Sequence, residues 1–369
     1  MKILHVTKKY PPALGGDAVV VANLQKQQRL GGHKVVIVTS NCDEIDDAEN
    51  IYKFGLPDTP ENLDKITPRR MLSLIMLFFK MFPILRRERP DVIHTHSVDM
   101  AFFVSFAARF YNIPVVHTFH IVTFYDTNQS ALRRKTEVWL AQKAGLRHVT
   151  APNTYDVKKL QAAGLGQAVL LPNGVDLNFW RSAPPTTPNS TFTFLAVGRL
   201  EQQKGYEYLI KATFLLTNIL PAKFRVIVVG EGSQKAALYN LAQTLHVDDI
   251  ITFAGRKSPE EVRTLLAAAD AAVFPSLYET TPLTLLEAWS AAVPVIVTEV
   301  GIVRETPAGF DAAYIVPPKD EHALMQAMSR CMTDTIPRQN IAAKGNEEAK
   351  KYAWPLIART AESIYRSTL

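Results

Sequence analysis

Phe274-Pro-Ser-Leu-Tyr-Glu279-Thr-Thr281-Pro282-Leu283-Thr284-Leu-Leu-Glu287-Ala288 is the stretch on which the fold turns. The run Ala271–Phe274 before it reads as a buried parallel strand, Thr281 is placed to cap a helix, and Pro282 suits the first helical turn, where no amide hydrogen is needed. Glu279 then falls in the loop, and Glu287 about a turn and a half inside the helix. Free amides at a helix start, reinforced by the helix dipole, favour a bound anion such as a phosphate or diphosphate.

Outward from this stretch, strand and helix patterns alternate along the whole chain. Strands are expected at Lys2–Thr7, Lys34–Thr39, Asp91–Thr95, Pro114–Phe119, His148–Ala151 and Ala168–Leu171, with helices in the gaps, among them Ala18–Leu30, Asp99–Tyr111 and Ser130–Ala144. Arg181–Ser190 is rich in Pro, Thr and Ser and reads as a linker. A second set of strands follows at Phe192–Val197, Phe224–Val229, Ile250–Ala254, Ala271–Pro275, Val293–Thr298 and Ala313–Val316. Such alternation gives parallel sheets covered on both faces, so the chain is read as α/β, with two doubly wound Rossmann-like domains in tandem. Its 369 residues agree, because they exceed the size at which one core keeps growing.

Composition narrows the class. Apolar residues make up 47% and charged residues 21%, which is ordinary for a globular protein and argues against disorder. Cys42 and Cys331 have no metal-like spacing and fit a reducing compartment. Met1–Thr7 runs straight into Lys8-Lys9-Tyr-Pro-Pro without a secretory apolar core, so a cytoplasmic location is expected. The net charge of +6 permits an anionic partner, but aromatic and basic residues do not interleave on one strand face, so nucleic acid is not expected.

The segment Met71–Leu85 is too short for a spanning helix and contains Lys80 and Pro83. Basic residues flank it, at Lys65, Arg69 and Arg70 on one side and Arg86, Arg87 and Arg89 on the other. Two readings stand. It is a peripheral helix on the inner face of a membrane, with Phe78, Phe79, Met81 and Phe82 among acyl chains and the arginines on head groups. Or it is a crossover helix buried against a sheet.

Ligands of open parallel sheets bind at the carboxyl ends of strands. After the first strand, Gly15-Gly16 precedes a helix and lets backbone amides approach an anion, although no G-x-G-x-x-G is present. After the first strand of the second set, Val197-Gly198-Arg199-Leu-Glu201-Gln-Gln-Lys204-Gly205 supplies a guanidinium fork and a mobile ammonium, suited to a diphosphate leaving group.

In order along the chain, Pro12-Ala-Leu-Gly15-Gly16, Pro90-Asp91-Val-Ile-His94, Phe119-His120, Pro172-Asn-Gly174-Val-Asp176, Gly198-Arg199 with Lys204-Gly205, Glu279 through Glu287-Ala288, Pro294-Val-Ile and Trp354 resemble the retaining glycosyltransferases of family 4. The resemblance implies the GT-B fold, two Rossmann-like domains facing across a cleft. The first is residues 1–180, joined by a C-terminal helix of about 352–369 that crosses back, and binds the acceptor. The second, 181–351, binds a nucleotide-sugar donor.

By the same resemblance, Gly15 and Gly16 meet the donor diphosphate and Arg199 and Lys204 neutralise it. Glu287 holds the ribose hydroxyls, Glu279 contacts the donor sugar, and His120 reaches the sugar near the reacting carbon. Breaking the sugar–phosphate bond leaves an oxocarbenium-like sugar and a diphosphate of growing negative charge, which preorganised cations and amides stabilise. No metal or other cofactor is expected, and the chain has no D-x-D pair. His96 and His117 are read as structural.

Where relatives often carry Gly-Phe-Gly, this chain has Thr280-Thr281-Pro282. Proline lacks an amide hydrogen, so the amides of Thr281, Leu283 and Thr284 carry more of the diphosphate. Ala292 and Ile302 also stand where glycines are common in the family. The expectation is transfer of a hexose-type sugar from a UDP- or GDP-linked donor to a glycan, glycolipid or lipid-linked acceptor, chosen by first-domain loops including Ile121–Ser130. If Met71–Leu85 is buried, a soluble sugar or sugar phosphate is the better acceptor. The rivals are a nucleotide-sugar epimerase of similar shape and a silent binding module.

Overall fold

The computed structural model describes residues 1–11, 15–42, 50–58, 67–121, 131–165, 167–181, 191–220, 223–306 and 310–369. The chain divides into two compact units, Met1–Asn173 with Trp354–Leu369, and Gly174–Ala353. The boundary lies at Asn173–Gly174 because Val175 belongs to the second unit: its amide donates to the Tyr352 carbonyl at 2.8 Å, and it forms a parallel bridge with Ala353.

The first unit is built on β1 (Lys2–Thr7), β2 (Lys34–Cys42), β3 (Ile51–Asp58), β4 (Val92–Thr95), β5 (Val115–Thr118), β6 (His148–Ala151) and β7 (Val169–Leu170), in the order β3-β2-β1-β4-β5-β6-β7. The second is built on β8 (Phe192–Val197), β9 (Phe224–Val229), β10 (Ile251–Gly255), β11 (Ala271–Phe274), β12 (Val295–Thr298) and β13 (Tyr314–Val316), in the order β10-β9-β8-β11-β12-β13. All pairings are parallel. Each expected strand is present, and β3 is an addition.

Successive residues of a strand point to opposite faces, so a sheet covered on both sides needs apolar residues at consecutive positions. β8 shows this. Phe194 and Ala196 pack in one core with Leu209, Ile210, Leu216, Val226 and Met328, while Leu195 between them packs in another with Leu285, Leu286, Trp289 and Val297. Each fully buried aliphatic side chain contributes about 1.5–3 kcal/mol. In the first unit, Leu4, Val6, Val36 and Ile93 pack with Leu74, Leu77, Met81 and Leu85 of the helix Pro68–Glu88.

That helix decides the Met71–Leu85 question for one of its faces. Thr67 caps it, accepting from the Arg70 amide at 3.1 Å, with Pro68 in the first turn. Leu74, Leu77, Met81, Ile84 and Leu85 are buried on the sheet as in a crossover helix, while Met71, Leu72, Ile75 and Phe79 are exposed, Phe79 by 65%. Met81 is therefore core, not a group for acyl chains, and Phe78 and Phe82 are half-buried against that core. Arg70 is also withdrawn from any head group. It is buried, donates to Ser40 Oγ at 3.0 Å and pairs with Asp99 at 3.1 Å. Among the described residues no helix is long and apolar enough to cross a membrane.

Both strand orders reverse direction at one place, between β1 and β4 and between β8 and β11. Consecutive connections leave toward opposite sides there, opening a crevice at the carboxyl ends of the strands.

Candidate functional site

In the second unit, the β8/β11 reversal brings Lys204 to Glu279. Beyond β8 the chain makes a single 3-10 turn, Gln202–Lys204, and then Gly205. Gly205 has φ 65°, and a Cβ there would lie 2.1 Å from the Pro275 carbonyl oxygen, so only glycine lets the two loops touch. The Leu277 amide donates to the Gln203 carbonyl at 2.8 Å and locks the loops together. The Lys204 ammonium forms an ion pair with Glu279 Oε1, to which Ser276 Oγ also donates at 3.4 Å. Both side chains are largely buried, at 16% and 12% exposed, so the pair is screened little by solvent. Tyr206 stands behind it, its hydroxyl pushed above the ordinary range by burial and by the Glu279 charge.

The helix after this loop begins one residue later than the sequence suggests. It spans Leu283–Ser290 with Pro282 as its N-cap, and the Leu286 amide closes onto the Pro282 carbonyl at 3.4 Å. Pro282, with φ −67° and an extended ψ of 124°, takes the capping place itself, and Thr281 is buried just outside the helix. Helix geometry leaves the amides of Leu283 and Thr284 without an intrahelical acceptor. Pro282 and Thr284 line, with Val197, Lys204, Tyr206, Ser276 and Glu279, a narrow pocket with room for about one water. Gly301, at φ 56°, closes the far side of this loop: the next amide, of Ile302, donates to the Thr280 carbonyl at 2.9 Å.

Glu287, the fifth residue of the helix, is half-buried, and among the described residues neither cation nor hydrogen-bond donor meets its carboxyl. Burial alone pushes that carboxyl up to about 8. Arg199 is exposed at the end of β8, held there by the bonds of its neighbours Gly198 to Val229 at 3.0 Å and Leu200 to Glu231 at 2.9 Å. Of the residues expected in this unit, Lys204, Glu279 and Thr284 meet around one pocket, and Arg199 and Glu287 stand outside it.

In the first unit, the helix Gly16–Leu30 starts at the glycine pair, with Gly15 as N-cap and the Val19 amide on its carbonyl at 3.1 Å. Among the described residues nothing lies within 4 Å of where a Cβ on Gly16 would stand, whereas a Cβ on Gly15 would lie 2.5 Å from Asp17 Oδ1. His120 lies just beyond β5. Burial lowers its imidazole below the ordinary value, and the Asp17 carboxylate next to the glycine pair pulls it back up. Of the loop Ile121–Ser130, expected from the sequence to help choose the acceptor, residues 122–130 lie outside the described residues.

Sequence reading missed two features. The loop Gly230-Glu231-Gly232-Ser233 after β9 packs on the Arg199 loop, with Ser233 donating to the Glu201 carboxylate through its amide at 3.1 Å and its hydroxyl at 2.7 Å. The glycines of Val229-Gly-Glu-Gly were the available signal. The other is the company of His120. His96, read as structural, is joined to it, Nδ1 to Nε2, at 3.0 Å, and His5 and His94 stand behind. His117, by contrast, bonds Thr95 and stacks edge-on against Phe119. No local motif signals this group, because strand register assembles it.

Comparison with known proteins accounts for the architecture. The model for glycosyltransferase family 4 matches residues 14–179, and that for glycosyl transferases group 1 matches residues 181–348. The UDP-Gal:alpha-D-GlcNAc-diphosphoundecaprenol alpha-1,3-galactosyltransferase of Escherichia coli is 30% identical over 70% of this chain and 68% of its own. Glycogen synthase of Mycobacterium tuberculosis is 27% identical over 99% of this chain and 94% of its own. Among solved structures, sucrose-phosphate synthase from Thermosynechococcus elongatus superimposes with a TM-score of 0.85 at 22% identity, covering 99% and 98% of the two chains. Anabaena HepE in complex with UDP-glucose does so with a TM-score of 0.79 at 19% identity over the full length of both. With two parallel sheets, a cation loop after the first strand of the second and the ordered motifs in place, the chain is a GT-B enzyme and belongs to glycosyltransferase family 4.

Proposed function

We propose that this glycosyltransferase retains anomeric configuration and moves a hexose-type sugar from a UDP- or GDP-linked donor to a lipid-linked glycan or glycolipid. The observation that carries the reading is the meeting of Lys204 and Glu279 at the β8/β11 reversal, beside the amides that open the helix Leu283–Ser290. A diphosphate accepts from those amides and from Lys204 and Arg199. Glu287 accepts from the ribose hydroxyls, and Glu279 and His120 act on the sugar.

As the bond between the sugar and the diphosphate breaks, negative charge grows on the diphosphate, where Lys204 and Arg199 lower its energy. The acceptor oxygen then bonds the sugar carbon on the face being vacated, and its proton passes to the departing diphosphate. In this reading the cations and amides do the work of a metal ion, and none is required.

The exposed apolar residues of the helix Pro68–Glu88 support a lipid-linked acceptor. Met71, Leu72, Ile75 and Phe79 fall within an arc of about 100° of the helix, and exposed Arg69, Lys80, Arg86 and Arg87 lie along the same element. Such a surface suits the interface of an anionic membrane. The E. coli relative, named for a diphosphoundecaprenol-linked substrate, accords with it.

The test is a panel of UDP- and GDP-sugars incubated with polyprenyl-diphosphate-linked and soluble glycan acceptors, read by nucleotide release and by NMR of the product anomer. Release that depends on the lipid-linked acceptor and yields the donor's own anomer is expected. An inverted product, or an epimerised donor formed without any acceptor, would sink the proposal.

A further inference from the structure

We infer that the first unit meets an anionic bilayer through a layer of three helices, Pro68–Glu88, Val98–Arg109 and Ala131–Lys143, with Phe110 and Trp139 inserted among the lipids. The inference rests on the reading above that Pro68–Glu88 meets a membrane, and it extends that contact to two further helices. They connect β3 to β4, β4 to β5 and β5 to β6, all in the same direction along the strand order. Right-handed crossovers therefore put all three on one face of the sheet. They pack side by side, with Val98–Arg109 in the middle.

A helix laid on a sheet turns its apolar stripe inward and keeps its outer face polar. Val98–Arg109 does not. Its inner face is Met100, Ala101, Val104, Ala107 and Ala108, all buried. Phe102, Phe103, Phe106 and Phe110 fall within an arc of about 100° on the opposite side. Phe110 is 73% exposed, Tyr111 after it is exposed as well, and the other three rings are half-buried.

The rings run on into the neighbours on both sides. Toward Pro68–Glu88, Phe110 meets Phe82 at 5.4 Å between ring centroids, and Phe82 meets Phe78 at 5.2 Å, beside exposed Phe79. Toward Ala131–Lys143, Phe102 stacks with Trp139 at 6.1 Å and 24°, and Trp139 is 51% exposed. An aromatic belt of this extent marks an interaction surface, and a half-exposed indole at its edge suits the lipid–water boundary.

Charge selects the occupant. Among the described side chains of the three helices, the exposed charged residues are Arg69, Lys80, Arg86, Arg87, Arg109 and Lys143, all basic. Of the acidic ones, Glu88 is paired with Lys2, Asp99 with Arg70, and Glu137 is half-buried. A second copy presenting the same face would set cations against cations, whereas anionic head groups attract them. One amphipathic helix lets the unit roll about the helix axis. Three side by side fix which face lies on the bilayer.

The experiment uses the full chain and vesicles of phosphatidylglycerol and phosphatidylcholine. Of the four tryptophans, Trp180, Trp289 and Trp354 are buried, so a change of emission on adding vesicles reports Trp139. A blue shift and quenching by acyl-brominated lipid are expected, and both should vanish in Trp139→Phe. Phe110→Ser with Trp139→Ser, which leaves Pro68–Glu88 intact, should lower vesicle partitioning about 10-fold at an unchanged unfolding midpoint. Unchanged partitioning, or a Trp139 emission indifferent to vesicles that the chain binds, overturns the three-helix contact and leaves the reading of Pro68–Glu88 standing. Failure of the parent to bind vesicles refutes that reading and the inference with it. A vesicle-free dimer that shields Trp139 from acrylamide assigns the surface to a second copy and overturns the inference.

Discussion

Replacing Glu287 with Gln should make the second unit less sensitive to alkaline pH. The parent carboxyl moves from an ordinary value of 4.5 to about 8 by desolvation, with no compensating cation. The native state therefore keeps a proton that the unfolded chain releases above about pH 4.5. The unfolded state binds fewer protons throughout that window, so this group makes stability fall as pH rises from about 4.5 to about 8, and it is neutral outside it. At 1.36 kcal/mol per pH unit, the full window corresponds to about 5 kcal/mol. The side chain keeps some contact with solvent, so a loss of about 2–5 kcal/mol is the working expectation.

Glutamine has no proton to lose. The stability difference between Glu287→Gln and the parent should be close to constant near pH 4–5 and should grow in the variant's favour up to about pH 8. Urea unfolding at a series of pH values measures it, followed by the fluorescence of Trp289, which is buried two residues further along the same helix. Other titrating groups cancel in the difference between the two proteins. Parallel curves would refute the desolvation argument, and a difference that grows toward acid would mean that the native carboxylate is stabilised by a partner.

Lys204→Ala should lower donor turnover about 100- to 1000-fold, whereas Glu279→Gln, by releasing Lys204 from its ion pair, should tighten free UDP or GDP while slowing transfer; calorimetry and nucleotide release that weaken together in Glu279→Gln would count against the exchange. Gly205→Ala puts a methyl 2.1 Å from the Pro275 oxygen at φ 65° and should destabilise the second unit by about 2 kcal/mol or more, and an unchanged Trp289 unfolding midpoint would refute the close approach. Ile75→Ser with Phe79→Ser should reduce flotation with anionic liposomes and leave folding intact, while Met81→Ser should lower thermal stability; the reverse pattern would contradict the division of that helix into a core face and a membrane face.

Most strands were legible because a doubly covered parallel strand needs an unbroken apolar run, and Lys2–Thr7, His148–Ala151, Phe192–Val197 and Phe224–Val229 end where the structure ends them. β3 was not, because Gly55 and Pro57 punctuate Ile51–Asp58 as a loop would. The structure shows why they are tolerated: β3 is an edge strand, with Gly55 at φ 81°, and an edge leaves one side of the ladder unpaired. The site divides along the same line. Lys204 and the segment Glu279–Glu287 could be read locally, as residues at strand ends and helix starts. The histidine chain could not, since His5 and His94 are paired only by the β1/β4 register, and Gln28 and Tyr365 reach them from helices at opposite ends of the sequence.

The two carboxylates of the opening stretch have opposite electrostatic surroundings, which their spacing alone does not reveal. Glu279 is paired with Lys204, whereas Glu287 sits desolvated and without a partner among the described residues, so it is mostly protonated near pH 7. Within this group the Lys204 ammonium and the Glu279 carboxylate cancel and the Glu287 carboxyl carries no charge, while exposed Arg199 stands near the Glu201 carboxylate of its own loop. Under the proposed roles, a nucleotide changes both terms at once. Its diphosphate competes with Glu279 for Lys204, and its ribose hydroxyls give the Glu287 carboxylate the donors that the protein withholds. Nucleotide binding below about pH 8 should therefore release a proton from Glu287, tying recognition of the ribose to the ionisation of the residue that reads it.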